Sequence, residues 1–237
     1  MPRYPIGAII LLVSMIFILF GMGRGLAQRL RTPSRRLLFF LLAWWAASFI
    51  DVPIPVIKPS MSMNLGGIVA PLCLGLLLTG KTKLADIRLW MAVLSVMVSG
   101  LLGQEVLGFE QDHFLWDGHW IFTFLGALAA ATVAVEMRGA LAAVLLGGAL
   151  AETIGPFVNL YWHLAPGRIT ELGAGIVFDR IVVSSLLVFP LSFIIEHLSA
   201  AKAVRVNLIP KPIDRKSTKE SLEEQEIVID SEKRSSE

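Results

Sequence analysis

The 237-residue chain has little sulfur and few titratable rings: one cysteine, two tyrosines and four histidines. Cys73 stands alone in an apolar run, which excludes an internal disulfide and a Cys-based metal cluster. Charge is the larger scarcity. Asp, Glu, Lys and Arg together make up 17% of the residues against 55% hydrophobic ones, and the mean hydropathy is +0.69. Soluble domains carry roughly 25% charged residues, so this composition points to a membrane protein. The net charge of +2 is too small to support general nucleic-acid binding. Chemical signatures are missing too. There is no Walker-type phosphate loop, no His-Glu-x-x-His helix and no rhomboid-like Gly-x-Ser context around Ser184-Ser185. No metal site or cofactor is therefore expected.

What the chain does have is a series of apolar runs separated by short charged ones. A membrane-crossing helix needs about 20 mostly apolar residues, and residues 4–23 are free of charge, followed by Arg24, Arg29, Arg31, Arg35 and Arg36. A cleaved secretory signal carries its positive charge before the apolar core, so the pattern reads as an uncleaved anchor. Further spans are expected over 37–51, 59–80, Leu89–Leu107, His119–Val135, from Gly139 past Glu152, and about Leu172–Ile195. The third is expected to be broken near its start, where Asn64, Gly66, Gly67 and Pro71 interrupt the apolar run. Lys and Arg concentrate in alternate loops, at 23–36, 79–88 and 136–138 and just after 201, while the loop at 108–118 is acidic. Because basic loops favour the cytoplasm, the expected fold is all-α. It is a polytopic transmembrane helix bundle of about seven spans, N-terminus outside and C-terminus cytoplasmic, in the cell membrane with the lipid bilayer as its principal partner.

The expected domain division follows charge: residues 1–201 form the helical bundle and 202–237 a charged cytoplasmic tail. The tail has too little apolar content to bury a core and reads as disordered, with a possible partner-binding helix around Ser221–Ile229. Trp44, Trp45, Trp90, Trp116, Trp120, Tyr161 and Trp162 mostly fall near span ends and read as interfacial anchors. The Gly/Ala-rich stretch from Gly126 to Gly148 suits close packing of the fifth and sixth spans.

Ionisable groups inside spans are costly and are functional candidates by default. Asp51, Glu152 and Asp179 stand out, with Asn64 and Asn159 at similar depth and Glu105 ending the fourth span. Applied to the expected orientation, these polar residues gather on the outer half. The bland alternative is that Asp51, Glu105 and Glu152 mark helix ends. Asp179 differs, because its neighbour Arg180 points about 100° away around a helix and adjacency does not make them a pair. A partner on another helix or a solvent-facing cavity is expected instead.

Three segments carry a resemblance: Asn64-Leu-Gly-Gly followed by Pro71, Gly155–Leu160, and Gly173-Ala-Gly-Ile-Val-Phe-Asp179. Together they resemble a family of prokaryotic multi-pass membrane proteins known as domain of unknown function 1614, over roughly residues 37–195. The sequence departs from that pattern at Asp51, at Arg180 and at Pro156 with Asn159. The family has no assigned activity, so the resemblance implies membrane class and draws attention to Asp179.

Three functions fit these residues. Gly- and Pro-broken helices beside polar groups are pointers to a small-solute or ion transporter, with Asp179, Glu152, Asp51, Asn64 and Asn159 as its site. Asp51 and Asp179 could instead form an aspartyl protease dyad, which requires carboxyls about 3 Å apart. Against this, Ile176, Val177 and Phe178 separate Gly175 from Asp179, where known intramembrane aspartyl proteases place Gly-x-Gly directly before the acid. Glu152 with Asp179 is an equal candidate pair. The third reading is a non-catalytic assembly or sensor protein, with the tail or the loop of Glu110, Asp112, His113, Asp117 and His119 as its contact.

Overall fold

The computed structural model describes residues 6–54, 61–80, 87–105, 118–134, 136–161, 171–173 and 175–208. The chain divides into two compact units, Met1–Glu196 and His197–Glu237. The described part of the second, up to Leu208, is helical, and the remainder of the proposed tail, with its Ser221–Ile229 segment, lies outside the described residues. Everything below concerns the first unit.

Its elements are mostly helical. They are α1 (Ile6–Leu19), the short α2 (Arg24–Arg29), α3 (Ser34–Ala47), α4 (Ala70–Thr79), α5 (Ile87–Glu105), α6 (Gly118–Val133), α7 (Met137–Tyr161) and the part of α8 (Ile176–Leu208) that precedes His197. Apart from α2, these helices fall one to one on the seven apolar runs of the sequence. Among the described residues, two stretches, Met137–Gly155 and Phe178–Ser199, are long and apolar enough to cross a membrane. The others are shorter. The 14 residues of α1 rise only about 21 Å, against about 30 Å of hydrocarbon.

Packing centres on α7, which lies against α5, α4 and α6. The expected close approach of the Gly/Ala-rich helices is therefore distributed differently: α7 packs more extensively on α5 and α4 than on its neighbour α6. The reason is where its small residues point. Ala140, Ala142, Ala143, Ala149 and Ala151 are all buried, and Gly147 faces α5 so closely that an added Cβ would lie 2.6 Å from the Val93 carbonyl oxygen. Small side chains let helix backbones approach, and dispersion then holds them.

The outer helices bury one stripe and expose another that is equally apolar. On α1 the buried positions Ala8, Leu11, Met15 and Ile18 follow helical spacing, while Ile9, Leu12, Val13, Ile16 and Phe17 are exposed. Ile87, Trp90, Met91 and Leu94 do the same on α5, as do Leu186, Phe193 and Ile194 on α8.

The all-α expectation is modified by a small sheet. Strand β1 (Asp51–Ile54) pairs antiparallel with β2 (Met61–Asn64), placing Asp51 opposite Asn64, and β2 pairs in parallel with β3 (Glu171–Leu172). Pro53 and Pro55 bar a helix here, and backbone groups that no helix can satisfy bond across strands instead. Ile68 and Leu172, with Ile54, Met63 and Leu72 against them, form a separate apolar cluster.

Candidate functional site

The break expected in the third apolar run is a π-helical turn, Leu65–Val69, leading into α4. Asn64 builds it. Its side-chain oxygen accepts from the Gly67 amide at 3.0 Å, while its side-chain nitrogen donates to the Ser48 carbonyl at 2.8 Å and to Asp51 Oδ1 at 2.9 Å. One buried amide thus caps a helix start and ties it to the end of α3 and to β1. Asp51 is exposed and orients Asn64 from the surface.

This turn meets the segment before α8. An added Cβ at Gly67 would overlap the Gly173 carbonyl oxygen, and Gly173 itself has φ +74°. The contact requires glycine at Gly67 for space and favours it at Gly173 for conformation. The Asn64-Leu-Gly-Gly and Gly173-containing segments, 106 residues apart from Gly67 to Gly173, are therefore in backbone contact. Trp44 closes the junction. Its indole nitrogen donates to the Gly66 carbonyl at 2.7 Å, and its ring meets Phe178 edge-on at 6.3 Å. The expectation of an interfacial anchor is corrected for Trp44. It is buried, because its one polar atom finds a backbone acceptor inside the protein.

Asp179, buried one residue beyond Phe178, accepts a hydrogen bond from the Gly7 amide at 2.6 Å. Gly7 belongs to the first turn of α1, where amides lack helical partners and the helix dipole favours a negative group. The carboxylate therefore caps α1 from 172 residues downstream.

Glu152 and Arg180 form a second, separate centre. Arg180 Nη1 lies 3.5 Å from Glu152 Oε1, and both side chains are 9% exposed. The pair joins α7 to α8, as the geometry of neighbouring residues on α8 requires: Asp179 turns to α1 and Arg180 to α7. Beside it lies a cavity of about 30 Å³ lined in part by Gly100, Thr123, Gly126 and Ser184. That is room for a water, which needs about 10–15 Å³ of such volume. The Ser184 hydroxyl donates to the Arg180 carbonyl at 2.7 Å.

The three carboxylates singled out by the sequence thus have different partners: Asp51 an amide side chain, Asp179 a backbone amide, Glu152 an arginine. Asn159 and Glu105 stand on α7 and α5, and their side chains lie outside the described residues, as does the acidic loop from Glu110 to Asp117. Arg180 is the residue that sequence reasoning left without a role. Its signal was present in the helical angle between it and Asp179.

The comparisons with known proteins are silent: no family model matches the chain, and no curated protein or solved structure matches it.

Proposed function

We propose that the chain is a multi-pass protein of the cell membrane, of the small-solute or ion transporter class, with Glu152 and Arg180 as its polar centre. One observation carries the reading: a buried ion pair beside a water-sized cavity, set among four apolar helices. Charges so placed cost several kcal/mol to desolvate and do not generally add net stability over an apolar pair, whereas paired intramembrane charges mark ion and proton paths. The membrane part of the proposal is supported by the two long apolar helices and by the apolar faces exposed on α1, α5 and α8. A soluble monomer exposes contiguous apolar patches of only a few hundred Å². Seven spans with the N-terminus outside, and kinship with the family of domain of unknown function 1614, belong to the same proposal. The protease reading gains no such support, since Asp51 and Asp179 engage different groups.

The test is flux. Full-length protein in vesicles is given an imposed proton gradient, read with an entrapped pH-sensitive dye, and in parallel an alkali-cation gradient, read with an entrapped dye sensitive to that cation. Faster dissipation than in protein-free vesicles, lost in Glu152→Gln, is expected for one of the two ions. Wild-type vesicles no leakier than protein-free ones for either ion would remove the ion-transport reading.

A further inference from the structure

A second cavity, far larger than the one beside Glu152, lies between α1, α3, α4, α7 and α8. Its volume is about 440 Å³, within the roughly 300–1,000 Å³ typical of small-molecule sites. Most of its wall is leucine, isoleucine and phenylalanine, and its polar side chains are Ser14, Thr32, Arg36, Arg138 and Ser185. The three hydroxyls spend their protons at home. Ser14 donates to the Ile10 carbonyl, Thr32 to Leu30 and Ser185 to Ile181, at 2.8, 3.0 and 2.7 Å. Charged donors remain only in the two arginines.

Those arginines share one end. Arg36 is on the first turn of α3 and Arg138 on the first turn of α7. Arg138 is buried and held in place by two backbone acceptors, donating to the Leu78 carbonyl at 2.9 Å and to Leu30 at 3.2 Å. Arg31 and Glu136 act on Arg138 with opposite signs, and the charged residues lining the cavity are Arg36 and Arg138, so its lining at this end is cationic. Away from it the cavity is apolar, reaching Trp44 eight residues along α3, about 12 Å from Arg36. It also opens sideways. Phe17, Leu77 and Leu186 line it and are themselves exposed on the apolar outer surface.

An apolar slot, entered from an apolar surface and ending in cationic donors, fits an amphiphile with a negative head. We propose that this cavity binds one anionic phospholipid, an acyl chain in the slot and the phosphate against Arg36 and Arg138. Arginine suits this task, since its fork pairs with phosphate oxygens through two parallel bonds. The arginines lie on the basic-loop side of the sequence, which is the side where anionic lipids give the membrane a negative surface potential. The inference rests on the membrane part of the proposed function and not on transport.

Native mass spectrometry of the full-length protein, released from detergent with equal phosphatidylglycerol and phosphatidylcholine of identical chains, reads the site directly. About a tenfold preference for one bound phosphatidylglycerol is expected, equivalent to about 1.4 kcal/mol. Arg36→Gln, on an exposed side chain that can change without disturbing the core, should abolish the preference. Leu145→Trp, which fills the slot, should abolish retention of both lipids. Inorganic phosphate alone at the same concentration should neither bind nor displace the lipid. Equal retention of the two lipids by wild type, a preference unchanged in Arg36→Gln, or displacement by free phosphate would each overturn the proposal. Flotation of the protein with phosphatidylcholine vesicles serves as the separate control: a chain that floats and shows no preference lacks the lipid site yet keeps the membrane reading, whereas one that fails to float loses both.

Discussion

The two longest apolar helices among the described residues have similar lengths of apolar sequence and opposite situations. In α7, 78% of the apolar window is buried; in α8 the figure is 33%. The more buried helix is not the one with larger apolar side chains. Its buried positions include Ala140, Ala142, Ala143, Ala149 and Ala151 beside Leu141, Val144, Leu145 and Leu146, while α8 carries Leu186, Phe193 and Ile194 on its exposed face. In water this would be inverted, with the bulky residues buried for the roughly 25 cal/mol gained per Å². Where the surroundings are as apolar as leucine, burial earns little of that, and helix position is decided by how closely a backbone can be approached. The central helix is the one richer in small side chains, and it is also the less hydropathic of the two.

The largest test of this contrast is at the link between the two helices. Arg180→Ala leaves Glu152 buried without its cation, and a loss of about 3–5 kcal/mol is expected, read from the unfolding midpoint in mixed detergent micelles. The double variant Glu152→Gln with Arg180→Gln should recover much of that loss. No recovery would mean that Arg180 acts chiefly through other contacts. Next comes overpacking of the centre: Ala143→Leu on α7 is expected to cost about 1–3 kcal/mol, although it makes the helix more hydrophobic. A stabilising effect in the same assay would refute the view that size sets the position of α7. The smallest effect belongs to the periphery. Ile194→Ala on α8 should change stability by about 0.5 kcal/mol or less in micelles, and a larger loss would place that face against protein.

Much of this arrangement is legible in the residues themselves. Apolar runs mark each long helix, and the cluster Asn64, Gly66, Gly67 and Pro71 marks the one whose start is irregular, as the π-helical turn bears out. The sheet was harder to foresee. Its strands are two to four residues long, too short for alternation to register, and what they replace is only the helix that proline forbids. The polar residues were found but not their partners. Nothing local in Asp179 points to Gly7, and nothing in Asp51 distinguishes a ligand from a clamp on Asn64, because both depend on approaches between distant segments. Trp44 misled for a related reason. A tryptophan near a span end is interfacial only if its nitrogen needs water, and the Gly66 carbonyl supplies that need instead.

The bond from Gly7 to Asp179 also has a meaning in time. A ribosome makes α1 before α8, so the opening turn of α1 stays without this cap until the chain has grown 172 residues beyond Gly7. The clasp shuts only once α8 has begun. A chain arrested before residue 179 should leave the Gly7 amide open to hydrogen exchange, and full-length protein should protect it. The same carboxylate that looked like a candidate for chemistry is, on this geometry, the latch by which a helix made late takes hold of one made early.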